Sequence, residues 1–360
     1  MGRIRPFVKD YIPRLVELNA KLFSRGAELS PQKQLAQFEE AFLRNPWYDE
    51  SLPSLTYEDA DGRLIGFLGV IARRMSFKER TIRLAVSQHM MVDPERRSSL
   101  ASIELLRTFL SGPQDVSMAD TANDVSQKMW ERLGGFTSLL HSIWWRRPLR
   151  PVGAALAYVR KRNKLLVPLA LASRPLSITV DAIATRLRRS PFHIATSQTP
   201  EEDLGAENLL ACLSEFSQMH SLRPEYDRHS LQWLLDILAQ QKDYGTFKTA
   251  IVRNAKKGIR GWYMYYLNPN EMSEVIQIGA TGESIKEVLV QLFYHAWQQG
   301  AVDLSGRLEP RFMKEFSAMS CFFFPGRMWM LLHSRNPELL KAIDRDDMFL
   351  SRLEGDLWLV

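Results

Sequence analysis

The stretch IRLAVSQHMMVDPERRSSLASIELLRTFL, from Ile82 to Leu110, decides the fold. Apolar residues dominate Ile82 to Val92, which predicts a buried strand, and a helical apolar pattern follows through Leu110. The residues between them are small or charged, so a helix begins almost directly after a strand. The start of a helix leaves backbone N–H groups without partners, and these groups favour an anion. The stretch therefore predicts a loop that holds a pyrophosphate.

Two further elements continue this pattern. Asp115 to Ala119 predicts a short buried strand, and Asn123 to Phe136 predicts a helix closed by two glycines. With the first stretch, these residues resemble the GCN5-related N-acetyltransferase (GNAT) superfamily. The resemblance is carried, in chain order, by Val92, Pro94, Arg96, Arg97, Ser99-Leu100-Ala101, Asn123 and Trp130-Glu131-Arg132-Leu133-Gly134-Gly135-Phe136.

The resemblance implies an acyl-CoA donor whose diphosphate lies in the loop after the first strand. The cofactor-binding residues that it implies in the first half are Met91, Val92, Arg96, Arg97, Ser98, Ser99, Leu100, Ala101, Ser102 and Asn123. The sequence departs from the family twice. Its loop has no glycine, the residue that lets a backbone approach a phosphate closely. Trp130 replaces the tyrosine that usually protonates the leaving thiolate, and an indole N–H is a far weaker acid than a phenol.

The second half of the chain repeats the element order of the first. Paired strands are expected at Ser54 to Tyr57 with Leu64 to Arg73, and again at Phe247 to Arg253 with Ile259 to Leu267. The expected fold class is therefore α+β. It has two GNAT-like domains, each with a mixed, mostly antiparallel sheet flanked by helices.

The repeat continues with a second strand, loop and helix. Glu274 to Ile278 predicts the strand, Gly279 and Gly282 lie in the loop, and a helix is expected from Ile285 to Gln299. The two glycines are candidates to approach a diphosphate in this half. The second half also resembles the Fem-type branch of the superfamily, in which a helix ending in Ala-x-x-x-Gly, here Ala296 to Gly300, precedes an apolar strand.

Charge is concentrated in the middle of the chain. The predicted domains are residues 1–142 and 191–360, joined by a connector at 143–190. The connector contains eleven Arg and Lys residues and a single acidic residue, which gives it a net charge of +10. Because the whole chain has a net charge of +6, the remainder has a net charge of −4. This distribution argues against a nucleic-acid-binding surface. The sequence of the connector predicts short helices whose basic residues face solvent. The alternatives are a patch that contacts anionic membrane headgroups, or arginines that contact the phosphates of CoA.

Composition places the chain among ordinary folded proteins. Its 360 residues suffice for two domains, and 45% of them are hydrophobic. Cys212 and Cys321 are too few for a disulfide framework and have no metal-ligand spacing, so we expect a reducing cytoplasm and no metal. The sequence from Met1 to Pro6 lacks the apolar core of a signal peptide.

Acyl transfer from a thioester needs a neutral nucleophile, a polarised carbonyl and a protonated leaving thiolate. Backbone N–H groups at splayed strands can polarise the carbonyl. His89, on the strand that ends at Val92, is a candidate base, and so is Glu274, which begins the corresponding strand of the second half. A structural histidine and a solvated strand end are the alternative interpretations.

Four residues are candidates to contact the acceptor. Arg223 and Tyr226 precede an amphipathic helix, and in the family this region forms a wall of the acceptor cleft; a helix-capping loop is the alternative. Tyr263 and Tyr265 share one face of a strand, where they either line the acceptor site or pack in the core.

The sequence therefore predicts an enzyme that moves an acetyl or other acyl group from acyl-CoA to an amine or hydroxyl acceptor. The alternatives are a Fem-like aminoacyltransferase, whose donor is aminoacyl-tRNA, and a catalytically inactive GNAT-fold ligand-binding module. The two loops disagree about the donor site, because the glycines lie in the second half and the family pattern in the first. We favour the first half, where Pro94, two arginines and Asn123 agree.

Overall fold

The computed structural model describes residues 2–22, 30–96, 100–162, 174–197, 202–326 and 328–356. Within these residues the strands are β1 (Arg3–Pro6), β2 (Leu55–Glu58), β3 (Leu64–Phe77), β4 (Arg80–Val92), β5 (Val116–Ala122), β6 (Phe136–Thr137), β7 (Ile143–Pro148), β8 (Leu222–Pro224), β9 (Thr246–Arg253), β10 (Ile259–Leu267), β11 (Met272–Ala280), β12 (Asp303–Arg307), β13 (Phe322–Pro325) and β14 (Trp329–His333). The α-helices are α1 (Ile12–Leu22), α2 (Pro31–Leu43), α3 (Ala101–Leu110), α4 (Asp124–Arg132), α5 (Pro151–Arg162), α6 (Arg174–Arg186), α7 (Ala206–Phe216), α8 (Arg228–Gln240), α9 (Ile285–Gln298), α10 (Met313–Ala318) and α11 (Pro337–Asp344).

Capping residues determine where several helices begin. The Ser30 side chain accepts a hydrogen bond from the Lys33 N–H, and Pro31 occupies the first turn of α2. Asn336 caps α11 in the same way before Pro337. Proline is tolerated at these positions because the first N–H groups of a helix have no partner within the helix.

The chain divides into two compact units, each built from separate segments. Unit 1 contains Met1–Leu139, His220–Trp233 and Arg327–Val360, and unit 2 contains Leu140–Met219 and Leu234–Gly326. The continuous domains expected from the sequence, 1–142 and 191–360 around a connector, stay a prediction.

Unit 1 contains a sheet with the strand order β1-β2-β3-β4-β5-β14-β6, and β8 also pairs with β3. Only β4 and β5 are parallel neighbours; the other pairs are antiparallel. Strand β14 comes late in the chain yet lies between β5 and β6, with Leu332 opposite both Met118 and Phe136. A buried apolar cluster on one face joins these strands to α11: Leu84, Val86, Val116, Met118, Met330, Leu332, Leu339 and Ile343.

Unit 2 contains a sheet with the order β13-β7-β12-β11-β10-β9, in which only β11 and β12 are parallel. Strand β7 follows the strands of unit 1 in sequence but pairs with β12 and β13. Its Trp145 has no exposed surface, and the indole lies 4.9 Å from the Phe316 ring and 6.1 Å from the Phe293 ring. Burial of this large ring fixes β7 in the second sheet.

The α+β fold class with two mixed, mostly antiparallel sheets is confirmed, and so are the hairpins β2–β3 and β9–β10. Two local expectations were wrong. The sequence from Pro191 to Thr196 predicts a short opening strand for the second half, but no strand forms there among the described residues. Part of the basic connector is strand β7, where Arg147 is buried and donates hydrogen bonds to the backbone carbonyls of Pro191 and His193. Charge alone did not reveal that two backbone carbonyls accept hydrogen bonds from this guanidinium.

Candidate functional site

Strands β4 and β5 are paired over a short length. Leu84–Val86 lies opposite Val116–Met118, and the pairing stops there although β4 continues to Val92 and β5 to Ala122. On their outer edges the two strands stay paired with β3 and β14. In the described part of the chain the inner edges beyond this point have no strand partner, so their backbone N–H and C=O groups face a gap. We call this gap, between residues 87–92 and 119–122, the unit 1 opening.

A β-bulge in β4 lies beside the unit 1 opening. The pairing with β3 moves from Gln88 opposite Gly69 to Met91 opposite Phe67, so β4 has one extra residue at this point. His89 lies in the bulge and has a φ of +49°, a backbone conformation that residues other than glycine rarely adopt. Bulges redirect side chains and are common next to active sites.

The His89 imidazole packs against α2. Its ring centroid lies 6.3 Å from that of Phe38 and 6.5 Å from that of Phe42, and both contacts are edge-on. Gly69 permits this approach of α2, because a Cβ there would lie 2.4 Å from the Phe42 ring. The structure thus places His89 beside the opening, partly buried. Its role as a base stays a prediction.

Unit 2 contains a similar opening. Met272–Val275 of β11 pairs with Asp303–Gly306 of β12, and β11 then continues to Ala280. A bulge leaves Ile276 without an opposite residue on β10. Each sheet therefore combines a short parallel pairing with a bulge in the first of the two parallel strands.

Several solved structures are similar to nearly the whole chain. A conserved protein of unknown function from Enterococcus faecalis V583, described as a probable N-acyltransferase, has a TM-score of 0.60 and 10% identity, covering 93% of this chain and 73% of that one. A GCN5-related N-acetyltransferase from Anabaena variabilis has a TM-score of 0.56 and 9% identity, covering 94% and 74%. The chain has the GNAT fold.

An N-myristoyltransferase from Saccharomyces cerevisiae with bound myristoyl-CoA is also similar, with a TM-score of 0.51 and 11% identity over 92% of this chain and 79% of that one. No family model and no curated protein matches the sequence. At this level of identity the similarity establishes the GNAT fold and not the reaction.

The loop that follows β4 in this GNAT fold is described at its two ends. Pro94–Arg96 forms a 3-10 turn after the strand. Leu100 is the N-cap of α3 and is 61% exposed, Ala101 is buried and Ser102 is partly buried. Within the described residues no side chain caps α3, so its first turn keeps N–H groups available to an anion. Three predicted loop residues lie outside the described residues: Arg97, Ser98 and Ser99.

The remaining predicted cofactor residues of unit 1 are integrated into secondary structure. Met91 is buried and Val92 is partly buried, both at the end of β4 that pairs with β3. The Asn123 side-chain oxygen accepts hydrogen bonds from the N–H groups of Val125 at 3.1 Å and Ser126 at 2.9 Å. Asn123 therefore caps α4, and its contact with a cofactor stays a prediction.

Trp130 is a core residue. Its side chain is 2% exposed and lies edge-on to Phe109 of α3, with ring centroids 5.9 Å apart. A Cβ at Gly135 would lie 3.0 Å from the Trp130 ring. The indole fills the space between α3 and α4, which is a packing role for Trp130.

No sequence motif pointed to a group of polar residues at the unit 1 opening. Gln88 and Asp120 lie on one face of the sheet, because side chains alternate along strands and Val86 is paired with Met118. Gln88 is 6% exposed, and neither atom of its amide has a hydrogen-bond partner among the described residues. Asp120 is 5% exposed, and the Arg352 Nε lies 4.0 Å from its Oδ2.

The C-terminal segment, residues 351–356, packs on this polar face. A Cβ at Gly355 would lie 2.0 Å from the Asp120 Oδ2, so only glycine permits this approach. The Thr121 hydroxyl donates a hydrogen bond to the Asp356 carboxylate. Two charged residues that are distant in sequence, Asp120 and Arg352, therefore meet beside the opening.

A second buried polar group lies nearby in unit 1. The Arg73 guanidinium carbon lies 4.1 Å from the centre of the Trp47 ring, and its three nitrogens have no hydrogen-bond partner among the described residues. Glu354 has no exposed surface; its Oε1 accepts a hydrogen bond from the Tyr226 hydroxyl at 2.8 Å, and its Oε2 accepts one from the Ser351 N–H at 2.6 Å. A buried cation over an aromatic ring and a buried carboxylate thus belong to one cluster.

The pKa values of this cluster follow from its burial. Burial lowers the pKa of Arg73, while Tyr226 and Glu354 raise it. Burial and the adjacent Glu354 charge raise the pKa of Tyr226 well above its usual range, with Arg73 opposing that rise. Tyr226 is therefore a neutral hydrogen-bond donor at physiological pH. Its predicted contact with an acceptor stays a prediction.

Arg223 lies away from the opening. Its guanidinium pairs with Glu79 at 2.7 Å and donates to the His220 carbonyl at 3.3 Å. Glu79 lies in the turn before β4, whereas the opening lies at the other end of that strand. The structure does not bring Arg223 together with His89.

In unit 2, Glu274 and Gly279 lie on either side of the bulge. Glu274 is opposite Ser305 in the paired part of β11, and it is partly buried. Gly279 lies opposite Trp262 on β10, and a Cβ there would lie 2.2 Å from the indole. The lack of a side chain at Gly279 therefore accommodates a tryptophan. Its contact with a diphosphate stays a prediction.

The backbone N–H groups of the loop before α9 donate hydrogen bonds mainly to acceptors within the same loop. The N–H groups of Ser284 and Ile285 donate to the Thr281 carbonyl at 3.1 and 2.9 Å, and the Thr281 N–H donates to the Ser284 hydroxyl at 2.9 Å. Gly282 is exposed, and a Cβ there would have no atom within 4 Å. Glu283, also exposed, adds a negative charge at the start of α9. Fewer N–H groups are available to an anion here than at the start of α3.

Tyr263 and Tyr265 lie in the core of unit 2. Both have no exposed surface, and their ring centroids are 6.0 Å apart. The Tyr263 hydroxyl lies 3.1 Å from the His295 Nδ1 on α9. Their positions favour the packing interpretation, and their contact with an acceptor stays a prediction.

Neither cysteine has the properties of a nucleophile. Burial raises the pKa of Cys212 to about 11 and that of Cys321 to about 12. Both side chains are therefore neutral thiols at physiological pH. Among the residues with described positions, no cluster of three or more His, Cys, Asp or Glu is arranged to hold a metal. No described helix has the length and apolarity needed to span a membrane.

A surface cavity of about 440 Å³ lies beside the end of β4 in unit 1. Lys21 and Asp93, which form an ion pair at 3.2 Å, lie in its wall. The charged lining is acidic in balance: Glu17, Asp59, Asp61, Asp93 and Glu95 against Arg14, Lys21 and Arg63. This charge disfavours a diphosphate in the cavity.

A buried acid in unit 2 makes stability depend on pH. Asp303 is 1% exposed, and its carboxylate pairs with the Arg146 Nε. Burial raises the pKa of Asp303 to about 6, and Arg146 opposes that rise. An unfolded aspartate has a pKa of about 3.9, so the folded state binds the extra proton between these two values. The contribution of Asp303 to the free energy of unfolding therefore falls as pH rises from about 4 to about 6.

We expect Asp303→Asn to remove this dependence. Two pKa units correspond to roughly 3 kcal/mol. The free energy of unfolding of the variant, relative to that of the parent, should therefore rise by about this amount when the pH is raised from 4 to 7. Urea unfolding of both proteins at the two pH values measures the difference. Parallel pH responses of parent and variant would contradict the assignment.

Proposed function

We propose that the protein is an acyl-CoA-dependent acyltransferase whose donor binds in the unit 1 opening. The observation that carries this proposal is the end of β4–β5 pairing after Val86 and Met118. It lies at the same end of β4 as the start of α3, which no side chain of the described residues caps. N–H groups on the inner edge of β4 can polarise a thioester carbonyl. The start of α3 can hold the diphosphate. The GNAT fold of the chain supports this reading, since the similar yeast N-myristoyltransferase structure contains myristoyl-CoA.

Unit 1 is the better donor site of the two. The loop before α9 in unit 2 uses its N–H groups internally and carries Glu283, which repels a diphosphate. In the unit 1 loop, Arg96 and Arg97 balance the charges of Asp93 and Glu95. Charge and available backbone groups therefore favour unit 1.

We infer that the two units form a tandem GNAT arrangement with exchanged strands. In each sheet a strand from the other half of the chain lies beside the second parallel strand, β14 beside β5 and β7 beside β12. The matching parallel pairs and bulges support a repeat. Unit 2, with its self-bonded loop, then acts mainly as a scaffold. The Fem-like character of the second half stays part of this proposal.

The acceptor, an amine or a hydroxyl compound, approaches the unit 1 opening beside the C-terminal segment, which packs over Asp120. His89 or Asp120 takes a proton from the acceptor, directly or through water. The acceptor then attacks the thioester carbonyl, the C–S bond breaks, and the CoA thiolate leaves and takes a proton from water. The buried Trp130 plays no part in that protonation.

Acceptor-dependent release of free CoA tests the proposed function. Acetyl-CoA and myristoyl-CoA are incubated with a panel of amines and alcohols, and the released thiol is measured. We expect turnover with at least one acceptor. Loss of a general base lowers kcat by roughly 10² or more, so either His89→Asn or Asp120→Asn should do so.

The controls of this assay separate the alternatives. Calorimetric titration should give the same affinity for the CoA thioester in the parent and in both variants. Binding without turnover by any acceptor would support the ligand-binding module. Failure of both thioesters to bind at millimolar concentration would reject the proposal.

A further inference from the structure

Helix α6 presents an exposed apolar stripe. Val180, Ile183 and Leu187 are 42%, 57% and 58% exposed, and their spacing of three and four residues places them on one face of the helix. The Leu187 N–H donates to the Ile183 carbonyl at 3.2 Å, so the helical geometry extends to Leu187. Exposed apolar residues that lie scattered need no explanation, but a continuous stripe does.

The opposite face of α6 fixes its orientation. Asp181 is 4% exposed, and its carboxylate accepts hydrogen bonds from the N–H groups of Val152 and Gly153 at 2.8 and 2.9 Å, which caps α5. Thr185 is 3% exposed on the same side. Rotation of α6 to bury the stripe would break this cap, so the stripe remains turned outward.

Basic residues flank the stripe. Arg186, Arg188 and Arg189 are exposed, and none of them has an ion-pair partner among the residues that the structure describes. On the neighbouring α5, Tyr158 is 48% exposed and the Arg162 guanidinium lies 5.0 Å from the centre of its ring. Apolar side chains beside arginines and a tyrosine are the combination that membrane interfaces favour.

We propose that this α6 face docks on an anionic lipid surface. The apolar side chains would enter the acyl boundary while the arginines contact headgroup phosphates. The charge distribution favours this partner, because Arg162, Arg186, Arg188 and Arg189 are exposed whereas Asp181, the acidic residue of α6, is buried. A second copy docking through the same face is disfavoured, since a twofold contact sets arginine against arginine. The inference goes beyond acyl transfer and does not depend on it.

Vesicle sedimentation of the full chain without any CoA compound tests this inference. We expect the protein to sediment with vesicles of phosphatidylcholine and phosphatidylserine in equal parts, and to remain in solution with phosphatidylcholine alone. Raising the salt concentration should weaken the binding, because it shortens the Debye length.

Three variants make the test specific. Each arginine near an anionic surface contributes roughly fivefold to binding, so Arg186→Gln, Arg188→Gln and Arg189→Gln together should reduce it about 100-fold. The double variant Ile183→Ser and Leu187→Ser should also reduce it about 100-fold or more, since it removes two exposed apolar chains from the contact. The control changes three exposed lysines elsewhere to glutamine, with the same change in net charge: Lys33, Lys256 and Lys314.

The outcomes decide the proposal. Loss of binding in both α6 variants and retention in the lysine control support it. Equal sedimentation with neutral and acidic vesicles, or an equal loss in the lysine control, overturns it. A concentration-dependent dimer that the Ile183 and Leu187 changes abolish, with no vesicle binding by the parent, also overturns it and assigns the stripe to a second copy.

Discussion

Replacing Glu354 by alanine is expected to lower the free energy of unfolding by about 3 kcal/mol. The change removes the acceptor of the Tyr226 hydroxyl and of the Ser351 N–H, and it takes away the carboxylate that offsets the buried Arg73 charge. A buried charge without compensation is among the most destabilising defects in a core. Urea unfolding of the parent and the variant measures the loss.

A matched control separates burial from charge. Glu338 also pairs with a cation, Lys78 at 2.7 Å, but both side chains are more than half exposed. Glu338→Ala should therefore leave stability nearly unchanged, because solvent screens such pairs. The double variant Arg73→Met and Glu354→Ala should lose less than the two single changes added together. Similar losses in the Glu354 and Glu338 variants would contradict a structural role for the buried cluster.

Replacing Leu100 by glutamate is expected to weaken acetyl-CoA binding roughly tenfold or more. The new carboxylate would lie at the start of α3, where it competes with the diphosphate for N–H groups and repels its charge. Leu100 is 61% exposed, so the substitution should leave the fold intact. Calorimetric titration measures the affinity, and circular dichroism checks the fold.

The matched substitution in the other loop is Gly282→Glu. A Cβ at position 282 has no atom within 4 Å, so the variant should fold. Its affinity for acetyl-CoA should equal that of the parent. The reverse pattern, with loss in Gly282→Glu and none in Leu100→Glu, would move the donor site to unit 2. Loss in both would indicate two occupied sites.

The sequence predicted those elements whose signals are local. Alternating apolar residues and turn residues located the β2–β3 and β9–β10 hairpins, and the passage from β4 to α3 revealed the GNAT-like order. The partners of β14 do not follow from local pattern, because apolar alternation states which face is buried and not which strand lies alongside.

The candidate site was only partly predictable for the same reason. His89 was identified because it lies next to the family pattern in β4. Asp120 and Arg73 carried a weaker signal, a charged residue inside a strand of mainly apolar and small residues. The C-terminal segment brings Arg352 to Asp120 and Glu354 to the Arg73 cluster, and it lies more than 200 residues further along the chain than Asp120 and Arg73. Contacts of that range depend on the tertiary fold and not on local sequence.

The central claim, that an acyl-CoA donor occupies the unit 1 opening, is tested most directly by amide hydrogen exchange with and without saturating acetyl-CoA. Amides on the inner edge of β4, in residues 87–92, should exchange more slowly in the complex, because the ligand supplies acceptors that the sheet does not. The corresponding residues 276–280 of β11 should be unaffected. Protection of residues 276–280 with no change at residues 87–92 would contradict the account.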